Sequence, residues 1–349
     1  MAASSRTGLA TPPIEENNAP SFDIVAHYTR FISSDPSITP AIAAIESLIA
    51  SLSASSLTTI SETLALLKTQ SNTLLASQSN PIPLIAGTEL LQRYIITVVQ
   101  QQPTQLSGHD FSQLRRQLIA NSKLFVSRTK SARSKIAKHA LPFIRDQSTI
   151  FVYGSSRVID AVLDHAAESR RYFNVVFISS LTSDPIHQSL KRLLSLGIPV
   201  ATIPLPALSH AIDSLDRNNT SNVLFLLGAE AVLENGAAVS NIGSRLVASV
   251  AKTSAIPCYF AAESYKFTRQ FPTSFGDADL QAMGAKQQVL KFRNDLDGEK
   301  MELQVDAENQ GRGDGMVDIT PPSLIGGLIT ENGVMTAEGV AEELIKLWF

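Results

Sequence analysis

The chain has 349 residues, a mass of 37.6 kDa, 44% hydrophobic and 17% charged residues, and a formal net charge of −3. That length can bury a substantial core and hold two domains, and the composition excludes a disordered acidic segment or a basic nucleic-acid tail, while leaving room for a local phosphate site or basic surface.

Cys258 is the single cysteine, which rules out an intrachain disulfide and favours the cytosol. The first residues, "MAASSRTGLATPPIEENNAP", lack the apolar stretch of a secretory signal, and no later run reaches about 18 consecutive apolar residues, so no membrane contact is expected. The glycosylation-like triplets at Asn218 and Asn219 are then coincidental.

Residues 1–20 read as a flexible leader of small, polar and proline residues. A helical domain follows over 21–145. "FDIVAHYTRFISS" and "SITPAIAAIESLIASL" carry apolar residues at three- and four-residue steps, as short amphipathic helices do. Asp35 or Ser37 could cap the second helix, and Pro40 fits only near its start. "SSLTTISETLALLKTQSNTLLAS" and "AGTELLQRYIITVVQQQ" extend the helical pattern. The last helix, from Phe111 to Ile144, places Leu118, Phe125, Ala132 and Ile136 near one stripe and carries eight cations with no acid. That basic face fits a solvated connector first, an acidic or phosphorylated partner second, and nucleic acid least, because aromatic residues are not interleaved and the total charge is negative.

From Thr149 the period alternates between strand and helix. "TIFVY", "NVVFIS", "IPVATI", "NVLFLLG" and "IPCYFAA" read as short buried strands, and "SRVIDAVLDHAAESR", "DPIHQSLKRLLSLG" and "GSRLVASVAKTSA" as helices between or beside them. This alternation predicts a Rossmann-like, mostly parallel α/β domain over 146–349, with a loop excursion at 275–315 that holds at most one short helix. Thr336 can cap a final helix whose apolar end, including Leu344, Ile345 and Trp348, needs the domain core to cover it. The six histidines are widely separated and form no metal-binding spacing.

Two strand ends have the position of an active site. In "IFVYGSSRVID", Gly154 permits close backbone approach, Ser155 or Ser156 can cap the following helix, its exposed amides could receive an anion, and Arg157 adds charge. Ordinary loop construction explains the same residues, since the stretch is not a P-loop. In "GAEAVLENGAAVSNIGSR", residues 228–245, Glu230 could act as a base while Glu234, Asn235 and Asn241 orient a ligand, but spacing identifies no complementary acid. Cys258 lies within an apolar strand and reads as a structural thiol. Glu263, Lys266 and Arg269 read as a polar rim, or part of an interface.

"GAEAVLENGAAVSNIGSR", "PCYFAAESYKFTRQFP" and "DITPPSLIGGLITENGVMTAEGVAEELIKLWF", in that order, resemble the alpha-subunit family of eukaryotic translation initiation factor 2B; the resemblance extends from about Phe22 to Phe349. It implies a helical domain and a Rossmann-like domain that forms a homodimer, together with a non-catalytic role in a cytosolic guanine-nucleotide exchange complex for initiation factor 2. The implied partners are the beta and delta regulatory subunits, the gamma and epsilon subunits that perform exchange, and the phosphorylated alpha subunit of initiation factor 2, which inhibits exchange under stress. Candidate contacts to that phosphorylated partner are Arg30, Ser34, Asp35, Thr39 and Glu46, on the first two helices.

The wider fold family also contains sugar-phosphate aldose–ketose isomerases, which provide a rival reading. Their catalytic cysteine falls near Gly154, their aspartate on Glu230, and the lysine of their "NKIG" segment is absent from "SNIG". The resemblance therefore implies no catalytic residue, no metal and no required cofactor. What it leaves is a former active-site rim at Gly154, Ser155, Ser156, Arg157, Glu230, Asn235 and Asn241 that could hold a sugar phosphate or nucleotide.

Overall fold

The computed structural model describes residues 22–35, 38–55, 57, 59–101, 116, 120, 131–179, 186–215, 222–287, 289–290 and 315–348. Its first part is a bundle of α1 (Ile24–Ser34), α2 (Pro40–Ala54), α3 (Ile60–Ala76) and α4 (Ile82–Gln101). Asp23 caps α1 by accepting the Ala26 N–H at 3.0 Å, and Thr59 and Glu62 form a reciprocal capping box on α3.

Two expectations change at α2. Its N-cap is Thr39, followed by Pro40 in the first turn; Asp35 is instead the C-cap of α1, and Ser37 lies outside the described residues. Nor is α2 amphipathic. Ala41–Ile45, Ser47–Ile49, Ser51 and Leu52 are all buried, because α1, α3 and α4 surround this helix. The apolar steps seen in the sequence belong to a central helix whose small residues let its neighbours come close.

Of the basic helix expected over 111–144, residues 111–130 lie outside the described residues except 116 and 120; α5 is helical over 131–140. Ala132 and Ile136 are buried there, as the stripe predicts, and Ile136 packs on the sheet.

The strands, in chain order, are β1 (Ser148–Tyr153), β2 (Phe173–Ser179), β3 (Val200–Pro204), β4 (Val223–Gly228), β5 (Ala231–Val232), β6 (Ala238–Asn241), β7 (Cys258–Ala261), β8 (Val317–Thr320), β9 (Gly327–Thr330) and β10 (Gly333–Met335). Seven of them form a sheet in the order β10-β9-β7-β4-β1-β2-β3, parallel except for β10. The architecture is thus a helical bundle followed by a Rossmann-like α/β unit.

The other helices are α6 (Arg157–Glu168), α7 (Ile186–Ser195), α8 (Leu208–Asp213), α9 (Ser244–Thr253), α10 (Asp277–Ala282) and α11 (Gly339–Trp348). Side chains alternate across a strand, so Phe151, Tyr153, Phe225 and Leu227 pack with α8, α9 and α11 on one face. Ile150, Val152, Leu224 and Leu226 pack with α5, α6 and α7 on the other. Arg192 fastens α7 to α6 by reaching Asp160 at 2.9 Å and Asp164 at 2.7 Å. The short helix expected in the 275–315 excursion is α10; residues 291–314 lie outside the described residues.

A second sheet, which no pattern in the sequence marks, stands beside the first. β5, β6 and β8 form an antiparallel sheet in that order, so the rim stretch 228–245 contains a hairpin instead of an open loop. Ile82 and Ile85 of α4 belong to its core, whereas Leu84, Leu91 and Ile95 belong to the bundle. One helix therefore joins both units.

Candidate functional site

The winding of the main sheet reverses at β1, which has β2 on one side and β4 on the other. Ligands of open α/β sheets sit beyond the carboxyl ends of the strands at such a point. Gly154 follows β1 and Gly228 ends β4, so both strand ends picked out from the sequence meet there.

Close contacts bring several candidates together. Gly154 has φ +69°, and a Cβ there would lie 2.9 Å from Asn241 Nδ2; a Cβ on Gly228 would lie 2.2 Å from Ser156 Oγ. Ser156 is the N-cap of α6, with no side-chain cap bond, and Ser155 precedes it. Ser240 donates to the Gly228 carbonyl at 2.9 Å, tying the hairpin to β4.

Other candidates are directed elsewhere. The Glu230 carboxylate accepts a hydrogen bond from Asn80 Nδ2 at 3.0 Å, placing it against the bundle. Asn235 sits at the tip of the β5–β6 hairpin and accepts the Ala237 N–H at 3.0 Å; next to it, Gly236 at φ +82° packs so closely that a Cβ would meet the Ala337 carbonyl. Its role there is to build the turn. Arg157 donates to the Ile38 carbonyl, across the boundary between the two units.

Of the residues expected to form a polar rim, or part of an interface, Glu263 is buried, Lys266 half-buried and Arg269 exposed. Glu263 is 1% exposed and lies 3.1 Å from Arg133 Nε and 2.8 Å from Lys266 Nζ. Burial pushes its carboxyl pKa up, but Lys266 and Arg133 outweigh that effect and hold it down at about 2. Lys266 also donates to the Ala229 carbonyl at 3.0 Å, beside Glu230. Tyr265 inserts into the core of the bundle, and Glu331 in the β9–β10 turn accepts bonds from Ser264 N at 3.0 Å and Oγ at 2.6 Å, holding the turn that carries it.

Asp318 on β8 reaches the rim stretch 228–245, a contact that no sequence pattern marks. It takes the Gly243 N–H at 2.7 Å and the Arg245 N–H at 3.1 Å, occupying the amino end of α9 with a carboxylate from within the chain. Burial raises its pKa to about 6 against these bonds. It follows the excursion and has no local pattern to announce it. Asn80 did have a signal, since it precedes Pro81 and accepts the Ile82 N–H at the start of α4, as a cap does.

Cys258 is buried, and burial pushes its thiol up to about 12, as befits a structural thiol and not a nucleophile. Among the described residues no group of histidine, cysteine and carboxylate side chains is arranged to hold a metal, and no helix is long and apolar enough to cross a membrane.

The expected partner contacts divide in the same way. Arg30 and Ser34 are exposed, and Asp35 and Glu46 are half-buried. Thr39 corrects the expectation of an outward residue. It is 2% exposed, and its hydroxyl donates to Tyr265 Oη at 3.4 Å, because the α/β unit covers the start of α2.

A helical bundle fastened to a doubly wound, mostly parallel sheet, with Gly154, Ser156, Gly228 and Asn241 meeting at the switch point, defines a Rossmann-like architecture. The family described as Initiation factor 2 subunit family matches residues 33–337, and the chain belongs to it, as a member of the group of eIF2B alpha, beta and delta regulatory subunits. Over 247 residues it is 35% identical to a translation initiation factor eIF2B subunit alpha from Dictyostelium discoideum, covering 70% of this chain and 73% of the relative. Over 325 residues it is 25% identical to the subunit alpha from Caenorhabditis elegans, covering 93% and 98% respectively. The crystal structure of eIF2B beta from Chaetomium thermophilum has the same fold, with a TM-score of 0.70 and 17% identity over 93% of this chain and 92% of that one. So does a chain of the tetrameric eIF2B-beta2-delta2 complex from the same species, with a TM-score of 0.66, 18% identity and the same coverage.

Proposed function

We propose that this chain is a non-catalytic regulatory subunit of the guanine-nucleotide exchange complex acting on translation initiation factor 2. It forms a homodimer through its α/β unit and promotes assembly with the beta and delta subunits beside the gamma and epsilon subunits that carry exchange. It senses the phosphorylated alpha subunit of initiation factor 2 and thereby inhibits exchange under stress, in the cytosol. The observation that carries this reading is the family match over 33–337, which spans both the bundle and the α/β unit. Similarity to two alpha subunits favours that subtype. Exposed Arg30 and Ser34, with half-buried Asp35 and Glu46, give α1 and α2 a surface for the phosphorylated partner.

Reconstitution of the exchange complex with and without the chain tests the proposal. Nucleotide release from phosphorylated and unphosphorylated initiation factor 2 should differ only when the chain is present. If its removal changes neither assembly nor that difference, the regulatory reading is wrong. Release catalysed by this chain alone would overturn the division of labour.

A second reading concerns the crevice, which could hold a sugar phosphate or nucleotide. The amino end of α6 favours it, because Ser156 makes no side-chain cap bond there. The amino end of α9 does not contribute, since Asp318 occupies its first amides. Gly154 at the isomerase cysteine position and Glu230 engaged by Asn80 support binding without turnover. Calorimetry with sugar phosphates and nucleotides tests occupancy, and product formation would revive the isomerase alternative.

A further inference from the structure

The start of α2 is held from the other half of the chain by two side chains. Arg157, at the first turn of α6, donates to the Ile38 carbonyl, and Tyr265 receives the Thr39 hydroxyl at 3.4 Å. Both residues belong to the α/β unit, while Ile38 and Thr39 lead directly into Pro40 and α2. Tyr265 is 8% exposed and packs in the same core as Ile42, Leu48 and Tyr28, so it acts as a plug in the bundle.

The two holding residues share one support. Glu263 precedes Tyr265 by two residues and binds Arg133 at 3.1 Å and Lys266 at 2.8 Å. Its charge also acts favourably on Arg157. Glu331 fixes the same turn from behind through Ser264. A displacement of this turn would move the plug and the carboxylate together, and with them the backbone at Ile38 and Thr39.

We propose that Arg157 and Tyr265 are positioning residues for regulatory recognition, setting the path of the chain between α1 and α2 and hence the relative placement of Arg30 and Glu46. The inference rests on the reading in which α1 and α2 receive the phosphorylated partner. Neither residue need touch that partner: Tyr265 is buried, and Arg157 is directed to the backbone that leads into α2. The unit that carries the crevice thereby controls the angle at which the bundle presents its surface.

The test uses the whole exchange complex reconstituted with Arg157→Met, Arg157→Lys and Tyr265→Phe. Tyr265→Phe keeps the plug and removes only the hydroxyl, while Arg157→Lys keeps the charge and loses the planar fork. Leu67→Ala, on α3 in the bundle core, serves as a stability control. Exchange on unphosphorylated initiation factor 2 should stay within about twofold of the parent for all variants, because positioning the phosphate-sensing surface does not enter the exchange step. The ratio of exchange on unphosphorylated to phosphorylated substrate should fall about threefold or more for Arg157→Met and Tyr265→Phe but not for Leu67→Ala, a coupling of ordinary allosteric size. Amide hydrogen exchange over 38–43 should quicken in the first two.

If both variants leave the ratio and the amide exchange unchanged while replacement of Arg30 and Glu46 abolishes inhibition, the positioning role is wrong and the regulatory reading stands. If replacing Arg30 and Glu46 also changes nothing, that reading falls with it. A ratio that drops equally in Leu67→Ala reduces the effect to stability and overturns the proposal. Should Arg157→Met fail to fold, Arg157→Lys and Tyr265→Phe decide the matter by the same ratio.

Discussion

Asn80 donates its side-chain amide to Glu230 at 3.0 Å, joining the segment before α4 to the end of β4 across 150 residues of sequence. This contact gives the carboxylate a structural duty where the bundle meets the α/β unit. A hydrogen bond to a charged acceptor contributes about 1.5–3 kcal/mol when well shielded, and less in this half-buried setting. We expect a double-mutant cycle of Asn80→Ala and Glu230→Ala, read by urea unfolding, to give a coupling of about 1 kcal/mol. A coupling of zero would mean that the two residues act independently.

Gly87 tests the close approach of α4 to α2. An added Cβ would lie 2.4 Å from the Ala41 carbonyl oxygen, which is backbone and cannot rotate away. Alanine gains about 1 kcal/mol of helix propensity over glycine, while overpacking of a tight interface costs typically 1–3 kcal/mol. Gly87→Ala should therefore be net destabilising by up to about 2 kcal/mol, seen as a lower unfolding midpoint at unchanged denaturant slope. Stabilisation would show that the two helices can separate freely.

Acid dependence separates two carboxylates of opposite character. The folded pKa of Glu263 is held down at about 2, below an unfolded value of about 4.3. Its contribution is therefore present above about pH 4.3 and lost as pH falls toward 2. Asp318 is raised to about 6, above an unfolded value of about 3.9, so its contribution is present below about pH 3.9 and lost as pH rises toward 6. Stability measured by urea unfolding should lose part of its slope between about pH 4 and 6 in Asp318→Asn. The slope between about pH 2 and 4.3 should flatten in Glu263→Gln. Unchanged slopes would show that these groups do not carry the linkage.

Homodimer formation predicts a persistent two-chain mass on sedimentation of the isolated protein across a wide concentration range. Exposed Leu194, Leu196, Leu246, Phe271 and Ile345 on the α/β unit supply apolar surface for such a contact. A stable 37.6 kDa species at micromolar concentration would reject it.

The sequence carried the main sheet because β1 and β4 are buried along nearly their whole length, and a run such as "TIFVY" or "NVLFLLG" has few other uses. It placed Gly154 and the segment after Gly228 at strand ends but left the strand order open, so their meeting where the winding reverses is visible only in the fold. The second sheet was harder to see. β5 has two residues and β6 four, too short for a period to show, and their partner β8 comes after a long excursion. Glu263 and Lys266 read as a polar rim or part of an interface because charged residues at a strand end are usually solvated. Lys266, three residues on, and Arg133, arriving from α5, together make burial tolerable there. Thr39 was misassigned for a similar reason, since nothing near it in sequence predicts a tyrosine 226 residues later.

The place of Tyr265 in the core of the bundle has a consequence for the order of synthesis. The helices through Gln101 leave the ribosome well before Tyr265, by on the order of ten seconds at ordinary elongation rates. During that interval the socket among Ile42, Leu48 and Tyr28 lacks its plug. Ile82 and Ile85 wait longer still, for Val317 and Ile319 of the second sheet. The nascent amino-terminal half thus carries uncovered apolar surface until most of the chain exists, which makes it a client for chaperones and makes a fragment ending before residue 265 prone to aggregate.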